Sequence, residues 1–266
     1  FLLVVLAACV TFAVLIFLIA YILIRGVPYL TPELFSLHYT SDNVSLMPAL
    51  INTILMTALS LVIAVPLGIF AAIYLVEYAR RGNKIVGIVR ITAETLTGIP
   101  SIVYGLFGFL LFGVALKWGY SMLGGALTLA IMILPTIIGP TESALRSVPE
   151  SYYEGSLALG ATKERSIFMV MLPAAKSGIL AAVVLGIGRA IGETMAVIMV
   201  AGNQARMPVG LLKGLRTMTA NIVTEMGYAT GLHREALIAT GVVLFVFILI
   251  INLSLSLLNR RSEHAN

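Results

Sequence analysis

Long apolar runs separated by short polar ones set the plan of this chain. Residues 1–24 form an unbroken apolar run, and about 20 helical residues suffice to cross a hydrocarbon layer. Runs at 49–76, 91–116, 122–139, 179–201 and 236–258 repeat the pattern. The expected fold is all-α, a single polytopic membrane domain over 1–266 with about six transmembrane helices. The third run is broken at Gly98-Ile99-Pro100, where proline removes a backbone donor, so a half-helix is expected to start near Ser101. Segments 25–48 and 202–235 and the short 117–121 read as outer connections.

Basic residues fix the expected orientation. Arg80, Arg81, Lys84 and Arg90 crowd the loop after the second run, and Arg146, Lys163, Arg165 and Lys176 follow the fourth. On this topology ten Lys/Arg fall on the cytoplasmic side, six on the outer side, and Arg189 lies inside a span. Both termini are then cytoplasmic. The sequence starts at Phe1 rather than methionine, so a preceding cytoplasmic tail is expected; the first run is too long for a signal-peptide core.

The segment 141–178 is the longest polar interruption on the cytoplasmic side. Ser147 and Glu150 have capping-box spacing around Pro149, which predicts a helix from near Val148 to Gly160. Thr162 is placed to cap a second helix that runs to Pro173. Gly155, Ser156 and Ala158 keep the first helix small-sided, which suits a knob that docks on another surface. Composition alone favours the alternative, an ordinary amphipathic interfacial helix.

The chain is 59% hydrophobic and 11% charged, with a mean hydropathy of +1.03, more apolar surface than a soluble domain of 266 residues can hide. The net charge of +5 sits at the ends of apolar runs and forms no tract suited to nucleic acid. With Cys9 alone, no internal disulfide or thiolate metal site is possible, and His38, His233 and His264 are too far apart to suggest a metal site and read as solvated residues.

Two polar groups inside spans carry the candidate chemistry. Arg189 and Glu193 are four residues apart, and charges at mid-bilayer are costly, so they face a polar path or neutralise each other. Arginine offers a permanently charged fork that suits phosphate-like oxyanions. Glycines 186, 188 and 192 suit close packing of a neighbouring helix. In the third run, Glu94, Thr95, Thr97, Ser101 and Tyr104 surround the Gly-Ile-Pro break. They either meet an anion at a half-helix start or bond back to their own helix around a packing kink.

The spacing Glu154-Gly155-Ser156, Gly160 and Val170-Met171-Leu172-Pro173 resembles the cytoplasmic Glu-Ala-Ala loop of ABC importer permeases. Both alanines and the isoleucine of that pattern are replaced by other small or aliphatic residues. The runs Thr97–Gly108 and Gly188–Val197 resemble motifs of phosphate-specific ABC permeases, and Gly202-Asn203, Met218–Ile222 and Glu225–Gly227 are more similar to the C-type than to the A-type subunit. The resemblance covers nearly all of the chain after residue 48. It implies a type I importer permease of the bacterial inner membrane, a subunit of an ATP-driven inorganic phosphate importer. It further implies Arg189 and Glu193 as an embedded charge pair, and Glu154, Gly155, Ser156, Gly160 and Pro173 in the loop that couples to ATPase subunits; from the polar break itself, Glu94, Thr97 and Ser101 are candidates along the substrate path. The implied partners are a second homologous permease, two ATP-binding subunits, an extracytoplasmic phosphate-binding protein and the lipid bilayer. This chain itself is expected to bind no cofactor, with ATP and magnesium held by the partner subunits.

No GxxxxGK[ST], HExxH or GxSxG occurs, so the chain has no phosphate-binding loop of its own and no enzyme motif. The alternatives are the A-type permease, a permease for sulfate or molybdate, a secondary anion carrier, an intramembrane enzyme and a purely structural assembly subunit. A carrier needs no docking loop.

Overall fold

Helix α1 (Leu2–Gly26) carries the first apolar run slightly past its expected end. The chain then makes two 3₁₀ turns, Val27–Tyr29 and Pro32–Phe35, each with proline near its start, where the missing N–H leaves no bond unmade. Helix α2 (Met47–Ile73) continues into a π-helical turn over Tyr74–Tyr78. The computed structural model describes residues 2–40, 43–79 and 84–263; Phe1, Arg80, Arg81 and His264 lie outside them.

The third run becomes two helices rather than one kinked span. Helix α3 (Lys84–Gly98) and helix α4 (Ser101–Gly108), extended by a π turn over Phe109–Ala115, meet at 104°. Pro100 is extended (ψ 136°) and disfavours helical backbone at Ile99, which forces the corner. The half-helix starts at Ser101, as the sequence implies.

Helix α5 (Met122–Arg146) begins at Ser121, whose hydroxyl accepts from Gly124 N at 3.1 Å. It runs through Pro135 and Pro140 beyond the expected end at Gly139, so residues 141–146 are membrane-helix continuation rather than docking loop. Helix α6 (Glu150–Ala158) follows. The expected capping box is not made, because the Ser147 hydroxyl donates back to Ala144 O at 2.7 Å and still belongs to the last turn of α5. Pro149 holds an extended backbone, so the helix starts at Glu150 rather than Val148.

Gly160 has φ +86°, the left-handed conformation that ends α6. Thr162 then caps α7 (Lys163–Ser166) by accepting from Arg165 N at 3.3 Å. Pro173 does not stop this helix. A π turn at Ile167–Met171 widens the coil ahead of the proline, α8 (Leu172–Ala174) carries it, and the chain bends by 70° only at Ala175. Helix α9 (Lys176–Gly192) ends inside the expected fifth span, and α10 (Met195–Ala201) completes it. The outer segment contains an unexpected helix α11 (Met218–Met226) before α12 (Gly231–Glu263).

Among the described residues, four helical stretches are long and apolar enough to cross a membrane, or up to six if each of the two bent pairs is one span. The centre of the molecule is where α2, α5 and α9 meet. Ile137 of α5 is fully buried there between Gly68 of α2 and Gly186 of α9. Gly188 and Gly192, expected at a packing face, have nothing within 4 Å of a Cβ position, so of the three glycines only Gly186 packs this way. Helix α4 seats on α10 and α5 through Gly105 and Gly108, and α1 lies along α12 with its apolar stretch otherwise exposed.

Candidate translocation path and docking helix

Arg189 occupies the last turn of α9, and Glu193 is the residue that ends it. At Glu193 the backbone turns extended (φ −69°, ψ 131°), so the two residues do not share a face of one continuous helix. The Glu193 carboxylate accepts from Ala196 N at 3.1 Å and so holds the start of α10, while Glu193 O accepts from the Thr219 hydroxyl at 2.8 Å. Arg189 makes no salt bridge among the described residues, and its Nε is buried without a partner. The expected mutual neutralisation is therefore absent, because the extended backbone at Glu193 turns its carboxylate to the start of α10 instead of to the guanidinium. A buried donor left unpaired carries its full desolvation penalty until an acceptor meets it.

Arg189 lies within electrostatic reach of the Tyr104 hydroxyl, which donates to Leu96 O at 2.8 Å and so spans the α3–α4 corner. The Arg189 charge is thus felt at the broken span through Tyr104. Of the other expected path residues, Glu94 and Thr97 are exposed on α3 and line a cavity of about 400 Å³ between α3 and α5. The hydroxyls of Thr95 and Thr97 donate to Ile91 O and Glu94 O on their own helix, as the packing-kink reading has it. Ser101 opens α4 half-buried. Ser101, Arg189 and Glu193 do not line that cavity, so the structure does not gather all five residues at one point.

Sequence reasoning missed the charges that do meet. Arg90 Nη2 and Arg146 Nε both donate to Glu142 Oε1, at 2.6 and 3.0 Å, joining the middle of α3 to the last turns of α5. The i,i+4 spacing of Glu142 and Arg146 was legible, but Arg90 had been absorbed as a topology signal. A second missed network ties the segment between α10 and α12 together. Arg216 pairs with Glu225 at 2.8 Å and with Asn221 Oδ1 at 3.0 Å, and His233 Nε2 lies 3.4 Å from Glu225, so His233 is not merely solvated. Asn52 on α2 donates to Arg206 O and Arg216 O, and the Thr53 hydroxyl accepts from Met218 N, which ties this cap to the bundle. Burial, joined by the Glu225 charge, raises the Tyr39 hydroxyl above its ordinary pKa, and a hydrogen bond to Glu225 raises that of Tyr228.

Helix α6 has no buried residue, and a Cβ at Gly155 would meet open space. Glu154 is exposed, and Ser156 turns its hydroxyl to Tyr153 O at 2.8 Å. Its platform is a small apolar cluster of Ala72, Ile73, Leu145, Val148, Ile167 and Met171. Lys163 adds a hydrogen bond to Glu77 O and lies 4.7 Å over the Tyr78 ring. Pro173 is exposed at the foot of this platform. The arrangement is an exposed short helix on a rigid base.

Residues 64–264 match the family described as binding-protein-dependent transport system inner membrane component. The chain belongs to that family. It is 39% identical over 217 residues to the probable ABC transporter permease protein YqgH of Bacillus subtilis, covering 77% of this chain and 70% of that protein. It is 35% identical over 238 residues to the phosphate transport system permease protein PstC 1 of Mycobacterium bovis, covering 78% and 70%. The fold is similar to a chain of the inward-facing MetNI methionine ABC transporter, with TM-score 0.62 at 19% identity over 92% of this chain and 97% of that one. It is also similar to a chain of an amino acid ABC transporter, with TM-score 0.57 at 24% identity over 80% and 92%. As an ABC importer permease, the chain is a transport subunit rather than an enzyme, a multi-pass inner-membrane protein that works with ATPase subunits.

Proposed function

We propose that this chain is the C-type permease of an ATP-driven inorganic phosphate importer and forms half of its translocation path. The observation that carries the reading is Arg189, whose Nε is buried and unpartnered beside the corner of a broken span. A guanidinium keeps its charge at any physiological pH and presents a donor fork matched to a tetrahedral oxyanion. Relatives named as phosphate transport permeases support phosphate as that anion. Glu193, Glu94, Thr97 and Ser101 flank the path, with Glu193 fixing the α9–α10 joint against which Arg189 is held.

The exposed α6 is the coupling helix, with Glu154, Gly155 and Ser156 on its docking surface, Gly160 ending it and Pro173 in the platform beneath. It seats on one of two ATP-binding subunits, which hold ATP and magnesium. A second homologous permease completes the path, and an extracytoplasmic phosphate-binding protein delivers to the outer cap. Both termini are cytoplasmic. ATP-driven closure of the ATPases displaces α6 and alternates access to Arg189. Radiolabelled phosphate uptake by the reconstituted complex tests the substrate: excess sulfate and molybdate are expected to leave uptake unchanged. Competition by either to the level reached with unlabelled phosphate would replace phosphate with a broader oxyanion specificity.

A further inference from the structure

Helix α3 stands away from the body of the molecule. Cavities of about 690 and 400 Å³ open along it toward α2, α5 and α6, and most of its side chains are exposed, Ile88 and Ile91 among them. Both cavities are lined by Arg90 and Arg146, so the two meet at the Arg90–Glu142–Arg146 triad. The triad is the charged bridge between α3 and the last turns of α5. Glu142 is largely buried, with a side chain 12% exposed, while both arginines are about half exposed.

The position of this bridge in the chain gives it a direction. Leu145, three residues after Glu142, is buried in the apolar platform that also holds Val148, Ile167 and Met171 under α6. Arg90, at the other end, is on α3, one turn from Glu94 and two turns from the Gly98–Pro100 corner. A displacement of α6 moves its platform and with it the end of α5. Leu96 and Ile99 pack the far end of α3 on the core, and across the open cleft at its near end the charged triad is a link that passes that motion to α3. We propose that Glu142 is a positioning residue, and that the Arg90–Glu142–Arg146 triad is the strut that makes the docking helix and the broken span move as one. The strut gives the largely buried carboxylate a mechanical role, and rests on the docking role proposed above for α6.

Its half-exposed arginines make the strut responsive to salt, since screening weakens such pairs. The test uses the assembled complex in lipid nanodiscs, in a Cys9→Ser background that removes the chain's single cysteine. Spin labels go on Gly87→Cys of α3, where nothing lies within 4 Å of a Cβ, and on Ser151→Cys of α6, which is exposed. The native triad is expected to give one narrow distance at low salt. Glu142→Gln and Arg90→Gln are each expected to broaden it severalfold and to lower phosphate transported per ATP severalfold, while Arg90→Lys keeps the narrow distance. Arg90→Gln removes only a half-exposed arm and leaves Glu142 paired with Arg146, so it answers even if Glu142→Gln fails to assemble. Unchanged distance widths in either glutamine variant would overturn the strut. Resting distances need neither ATP nor phosphate, so they separate this inference from the function it rests on: an α6 that ATP leaves unmoved in the native complex would overturn the docking role alone, and competition by sulfate the substrate alone.

Discussion

At Gly108 a Cβ would lie 2.1 Å from the Thr128 hydroxyl, and at Gly105 it would lie 2.9 Å from Ala196 Cα, so α4 reaches α5 and α10 only because neither residue has a side chain. Gly108→Ala is therefore expected to cost about 1–3 kcal/mol, the usual range for overpacking, seen as a lowered thermal unfolding midpoint in detergent. Gly160 serves by conformation instead. At φ +86° a β-branched side chain meets a left-handed penalty of about 1–2 kcal/mol, so Gly160→Val is expected to misplace the end of α6 and let ATP hydrolysis continue while transport falls. Unchanged transport per ATP in that variant would remove α6 from coupling. The role of Gly160 was legible in the sequence because helix closure is local chemistry. The pairing of Arg189 with Glu193 was misread because i,i+4 spacing means a shared face only if the helix continues. Gly192 and Thr194, a poor helix former and a residue suited to caps, were the signals that it ends.

Among the elements, the outer cap is the part the sequence concealed. Its helix α11 is capped by Thr217 and its start is held by Thr53, while Asn52 holds the segment before it; both residues lie far away on α2. Only tertiary contact reveals such a purpose. The Arg216–Glu225 pair is buried on both sides, with side chains 13% and 8% exposed. Arg216→Gln removes the permanently charged partner of a buried carboxylate, leaving it His233 at 3.4 Å, and is expected to cost up to about 3–5 kcal/mol, measured by thermal unfolding. The tyrosines around it predict an alkaline limit. Tyr39 and Tyr228 both hold their protons more tightly folded than at the ordinary value of 10.0, so their contribution is complete below that pH and is lost as pH rises through the raised folded values. Unfolding midpoints are expected to fall above about pH 10 and to fall less in Tyr39→Phe/Tyr228→Phe; identical alkaline profiles would contradict this. The α3–α4 corner shows the intermediate case. Pro100 announced a break, yet 104° rather than a kink follows from where α4 packs on α5 and α10.

For the molecule as a whole, apolar run length anticipated four helical stretches among the described residues that are long and apolar enough to cross a membrane, while the third and fifth runs came out as bent pairs. Ends were less secure: α5 outruns its apolar run to Arg146, since a helix needs no apolar surface once it has left the bilayer. What the runs could not convey is that Glu94 and Thr97 line one cavity together with Glu142 and its two arginines, while Arg189 lies outside that lining. The account therefore places the anion-binding charge at Arg189 and the mechanical linkage elsewhere. The most direct test of that division is phosphate uptake by the reconstituted complex carrying Arg189→Gln. Uptake is predicted to fall to background while assembly and ATP hydrolysis persist. Uptake at the native rate would show that the buried guanidinium is packing, not path.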